Sequence, residues 1–93
     1  MNNIYVSEIR VRNGRLNNEE LMYADITIND AIVIHRVKLL KNSNDEHYIV
    51  FPDFLDRRKG KYSQVVHPIN NEVRKLLTKA MLDEYLKIQR ESF

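Results

Sequence analysis

The residues whose type and spacing best suit them to chemistry are cations. Arg57, Arg58, Lys59 and Lys61 fill four of five consecutive positions, and Arg74, Lys75 and Lys79 follow on the next segment. From Arg57 to Lys79 there are seven Lys or Arg and one acid, Glu72. Such a set does electrostatic chemistry. Guanidinium and ammonium groups, with the unpaired N–H groups of a helix start, hold phosphates. Phe54 and Tyr62 flank the first cluster and can stack on bases; the plainer alternative has Phe54 closing the core edge and Tyr62 pairing across strands.

Covalent and metal chemistry has no comparable support. The chain has no cysteine, which removes disulfides, thiol catalysis and thiolate metal sites. His35, His47 and His67 lie on separate segments without a second ligand at a metal-binding spacing. His35, inside an apolar run, reads as a hydrogen-bonded core histidine, and His67 before Pro68 as a residue that fixes a strand-to-helix corner. Ser7, Ser43, Ser63 and Ser92 lack the glycine neighbours of a nucleophile elbow, and two glycines cannot build a phosphate-cradling loop. Asp53/Asp56 and Asp83/Glu84 read as exposed acids balancing nearby cations. The expectation is no enzyme, no metal and no cofactor.

The elements that must position the cations are mostly strands. In Ile4–Arg12 the pairs Ile4/Val6 and Ile9/Val11 alternate, but their phase slips at Ser7-Glu8, which predicts a bulge. Asn13-Gly14 predicts a turn. Met22, Ala24, Ile26 and Ile28 share one face opposite Tyr23, Asp25 and Thr27, as in a half-buried strand. Asn29-Asp30 is a tight-turn signal, Ala31–Leu40 a central strand, 41–46 a polar loop, and Tyr48–Phe51 a strand stopped by Pro52. A loop of about ten residues then leads to a short strand at Tyr62–Val66.

The last segment reads as one helix, about 71–90, capped by Asn70 or Asn71 and with Glu72 in its first turn. Val73, Leu76, Leu77, Ala80 and Met81 form a sheet-packing stripe. Leu82, Tyr85 and Leu86 fall on the opposite side and are assigned as a dimer or partner contact. The fold class is therefore α+β: an antiparallel β-sheet of about five strands, about 3–66, followed by one C-terminal helix, as a single domain over 1–93. A small sheet leaves edges, and pairing two across a two-fold axis would remove them, so a strand-mediated homodimer is expected.

Composition agrees with a globular chain: 93 residues, 43% hydrophobic and 30% charged. No apolar run reaches the roughly 20 residues a membrane span needs, and no signal-peptide pattern opens the chain, so a cytoplasmic protein is expected. The net charge is only +2, but it is uneven, with −1 over residues 1–46 and +3 over 47–93.

Several runs, in this order, resemble the stage V sporulation protein G (SpoVG) family of septation and sporulation regulators. They are Val6-Ser7-Glu8-Ile9-Arg10-Val11-Arg12, Ala24-Asp25-Ile26-Thr27-Ile28, Val33-Ile34-His35, Tyr48-Ile49-Val50-Phe51-Pro52, Gly60-Lys61-Tyr62, His67-Pro68-Ile69-Asn70 and Glu84-Tyr85. The resemblance spans about residues 4–88. It implies a small cytoplasmic, non-enzymatic α+β protein that dimerises through strands and binds DNA, in some members RNA, to regulate genes. It places nucleic-acid contacts at the helix start after His-Pro-Ile, where small or hydroxyl residues precede an arginine. Arg74 matches that arginine, while Asn71, Glu72 and Val73 replace the small and hydroxyl residues, and Leu76 stands where a lysine often falls. The loop from Pro52 to Gly60 is one residue longer than the family's, and Ser63-Gln64 replaces its usual Arg-Asp.

The reading that results is a dimeric nucleic-acid-binding regulator acting through Arg57, Arg58, Lys59, Lys61, Arg74, Lys75 and Lys79. Its partners would be DNA or RNA and a second copy of the chain, with no membrane and no small-molecule substrate. The alternative is a protein-interaction module of the division or sporulation machinery that does not bind nucleic acid.

Overall fold

The computed structural model describes residues 3–12, 16 and 19–91. Apolar side chains at every second position make β2 (Glu20–Ile28) a half-buried strand, with Met22, Ala24 and Ile26 in the core. β2 lies between β1 (Val6–Val11) and β3 (Ile32–Lys41), and β3 pairs in turn with β4 (His47–Val50). The sheet is antiparallel, in the order β1-β2-β3-β4.

The phase slip at Ser7-Glu8 is a bulge. Val6 faces Ile28 and Glu8 faces Thr27, so Ser7 is the extra residue. Asn29 and Asp30 both have positive φ, 55° and 52°, and the Ala31 N–H bonds the Ile28 carbonyl at 3.0 Å. That is a type I′ turn, whose twist matches the strands it joins. The Ser7 hydroxyl accepts the Asp30 N–H at 2.6 Å, and the Asn29 side-chain carbonyl accepts the Tyr5 N–H at 2.8 Å. The start of β1 is thereby tied to the turn. The Asn13-Gly14 turn lies outside the described residues.

A second bulge corrects the reading of His35. Ala24 faces Val37 and Ile26 faces Ile34, which leaves both His35 and Arg36 opposite Asp25. Arg36 takes φ 64° to make this possible. The bulge shifts the inward phase of β3, so Ile34, Val37 and Leu39 enter the core. The His35 side chain is 61% exposed; it is hydrogen-bonded but not a core residue.

The α+β class is as expected, an antiparallel sheet followed by one helix, with its strands divided in two. The four strands are followed by a separate two-stranded sheet, β5 (Asp53–Asp56), from the segment expected to be a loop, and β6 (Lys61–Gln64), which overlaps the strand expected at Tyr62–Val66. This hairpin supplies no residue to the core.

α1 (Asn71–Glu91) begins where the sequence places it. The Asn70 side-chain carbonyl accepts the Val73 N–H at 2.9 Å, so Asn70 is the cap. Val73, Leu77 and Met81 are buried against Met22, Leu39, Ile49 and Phe51 in one core cluster. The far end of the helix differs from expectation. Leu82 and Tyr85 are half-buried against the same core, and Leu86 is exposed. Tyr85 and Ile88 line a small cavity with Val11, Leu16 and Leu21, so the last turns roll toward β1 and β2.

Candidate nucleic-acid interface

The first basic cluster sits at the tip of the β5–β6 hairpin. Asp56 and Lys61 are paired, and Arg57, Arg58, Lys59 and Gly60 make the connection. The Asp56 carboxylate accepts the N–H groups of Arg58 at 3.0 Å and Lys59 at 3.4 Å. Gly60 closes the turn at φ 66°, a conformation that suits glycine, and donates its N–H to the Asp56 carbonyl at 2.8 Å. Asp56 thus holds the backbone and leaves the four cationic side chains exposed, with no ion pair to a described acid.

The second cluster lies on the outer face of α1. Arg74 and Lys75 are exposed and without a described acidic partner, while Lys79 pairs with Asp83 at 2.8 Å. Together with Thr78 and Leu82 they face the edge strand β4 across a groove of about 450 Å³, whose other wall is His47, Tyr48 and Ile49. The two clusters sit on separate elements. α1 packs on β4, β1 and β3, whereas the hairpin packs chiefly within itself. His67 lies between them in the chain, its Nδ1 3.1 Å from the carbonyl of the adjacent Pro68.

Phe54 and Leu55 are half exposed and Tyr62 is 68% exposed. Phe54 therefore does not close the core, and Tyr62 pairs across the hairpin with Leu55. Phe54 lies on one face of the hairpin and the Leu55/Tyr62 pair on the other; Val65, Val66 and Ile69 are exposed between the hairpin and the helix, Ile69 at 91%.

Asp25 is the organising residue that the sequence reading passed over. It is 8% exposed on the sheet face away from the helix. Its carboxylate accepts the Arg36 N–H at 3.2 Å and two bonds from Arg12 Nη1 at 3.2 and 3.3 Å, and His35 Nδ1 lies 3.2 Å away. Burial alone would push its pKa up. The Arg36 N–H, then His35 and Arg12, outweigh that and hold the carboxyl below its usual range. An Asp between Ala24 and Ile26 in an apolar strand was the available signal. Nearby, the hydrogen bond to Glu20 chiefly raises the Lys38 pKa, and the two side chains meet at 2.9 Å.

The class these features define is a small α+β protein that carries one basic cluster on a detached hairpin and another beside a sheet edge. Residues 4–87 match the model of the SpoVG family, and the chain belongs to that family. A Treponema denticola protein named "Putative septation protein SpoVG" is 35% identical over 82 residues, covering 88% of this chain and 86% of its own. Proteins of the same name from Caldanaerobacter subterraneus subsp. tengcongensis and Borrelia hermsii are 33% and 29% identical. The first covers 88% of both chains, the second 88% of this chain and 86% of its own.

Proposed function

We propose that this SpoVG-family chain is a non-enzymatic regulator that binds DNA or RNA as a homodimer. The observation that carries the reading is the exposure of Arg57, Arg58, Lys59, Lys61, Arg74 and Lys75 without described acidic partners. Cations left uncompensated on a chain of nearly neutral total charge suit a polyanion. Phosphates meet the hairpin tip and the first turn of α1. Asn70 occupies the Val73 N–H there, and the Asn71 and Glu72 N–H groups have no partner inside the helix.

Two features support the second copy. The hairpin has open strand edges, and it exposes apolar side chains on both faces, Phe54 on one and Leu55 with Tyr62 on the other. A two-stranded hairpin is marginal by itself in water, and a partner would cover part of that surface. A two-fold pair would present two basic hairpins along one nucleic acid. A role in septation or sporulation draws on the names of the relatives, and a cytoplasmic location on the proposed target.

Fluorescence anisotropy of labelled duplex DNA and single-stranded RNA, titrated across a range of salt, tests the reading. Neutralising about six phosphates gives a log-log slope of roughly −5 on duplex DNA. Reversing Arg57, Arg58 and Lys59 to Glu should abolish binding. Salt-independent binding, or binding unchanged in that variant, would remove the electrostatic interface. Exposed Leu86 favours a second reading, a protein-interaction module, which would survive the charge reversal intact.

A further inference from the structure

The outer side of β4 pairs with no strand among the described residues. An unpaired edge presents a row of backbone N–H and C=O groups, and short length and charge are the usual protections against stray pairing. β4 has only the first. It is four residues long, is followed closely by Pro52 and contributes His47, Tyr48, Ile49 and Val50. The charge stands across the groove instead, on the helix, where Arg74, Lys75 and Lys79 line it and Asp83 pairs with Lys79 alone.

We propose that the groove between β4 and α1 is a peptide-binding site that takes a short extended segment with acids at alternate positions around one apolar residue. The partner adds as a fifth strand beside β4. Along four residues it runs about 13 Å, and every second side chain points toward the helix. The flanking acids of that set meet Arg74 and Lys75, neither of which has a described acidic partner, while Lys79 at the far end is already paired with Asp83. The central apolar side chain covers Ile49 and Leu82, while the Thr78 hydroxyl, also in the lining, donates to the Arg74 carbonyl at 2.7 Å.

The edge itself selects peptide over nucleic acid. A strand edge alternates donors and acceptors, and only another peptide backbone matches both; a phosphodiester backbone offers acceptors alone. The hairpin cations are not part of this site, whereas Arg74 and Lys75 are shared with the proposed nucleic-acid surface, so reversing the hairpin charges separates the two ligands.

The probe is a fluorescein-labelled peptide with the core Glu-Thr-Val-Thr-Glu, titrated with the full chain and followed by anisotropy. Three comparison peptides carry Lys for both Glu, or N-methyl groups on one or the other alternate set of amides. The expected result is saturable binding with Kd on the order of 100 µM, as suits so small an interface. The Lys peptide and the Arg74→Glu/Lys75→Glu variant should each weaken it at least about tenfold. One of the two N-methylated peptides should lose binding, and the Arg57/Arg58/Lys59 charge reversal should leave it unchanged. No saturable binding up to millimolar protein would overturn the proposal. So would equal binding of the Lys peptide, or undiminished binding of both N-methylated peptides, since attraction by charge alone needs no free amides.

Discussion

The Asp25 carboxylate accepts the backbone N–H of Arg36 at 3.2 Å, across the point where two residues of β3 oppose one of β2. A carboxylate therefore stands in for the ladder bond that the bulge breaks, and it also fixes Arg12 and His35.

Replacing Asp25 by Ala should cost about 2 kcal/mol or more, because a buried acceptor leaves several donors unmatched. Asp25→Asn should cost less. The folded-state pKa lies below the unfolded value, so the contribution is complete above about pH 4 and lost as pH falls through the folded pKa. Thermal melts from pH 7 to pH 2 should show the gap between wild type and Asp25→Asn closing only at the acidic end.

The turn between β2 and β3 gives a second test. Asn29 at φ 55° makes side-chain bonds to the Tyr5 N–H and the Asn3 carbonyl. Asn29→Ala loses both and must adopt a left-handed conformation costing about 1–2 kcal/mol. Asn29→Gly should recover the conformational part but not the bonds, and chemical denaturation of the three proteins separates the two contributions.

At the helix start, Asn70→Ala should lower stability by about 1 kcal/mol and Asn70→Asp should retain most of it. For a chain of this size the first change is a fall of about 4–8 °C in Tm.

Arg74→Ala should weaken nucleic-acid binding while leaving Tm within about 1 °C, since an exposed side chain without a described partner contributes little to folding. Anisotropy and a melt of the same preparation decide it. A large drop in Tm would make Arg74 structural.

The exposed apolar residues of the hairpin predict that Phe54→Ser/Leu55→Ser shifts sedimentation equilibrium toward monomer without loss of secondary structure. Neither residue belongs to the core, so unfolding is not the expected outcome.

Much of this fold was legible because burial leaves a period. Met22, Ala24 and Ile26 announce β2, Val73, Leu77 and Met81 announce the helix, and Asn70 announces its start. Even the bulge at Ser7 showed as a slip of phase. β5 did not, because Asp53-Phe54-Leu55-Asp56 packs on no core and so carries no alternation to read. His35 was misplaced for the opposite reason. A period-2 count through Ile34 and Val37 fails when the strand holds an extra residue, and that residue is visible only from the partner strand. The cations were readable by type, but their division between a hairpin tip and a groove depends on topology. Leu82 and Tyr85 were set apart by helical angle alone, and the roll of the last turns brings them back to the core.

No core residue comes from 53–66, so the hairpin can gain or lose a residue, or exchange its charges, without disturbing the packing that folds the chain. On the proposed function, substitutions there alter recognition and leave stability nearly unchanged. The arm and the scaffold are thus separable parts: one can be rebuilt while the other keeps its fold.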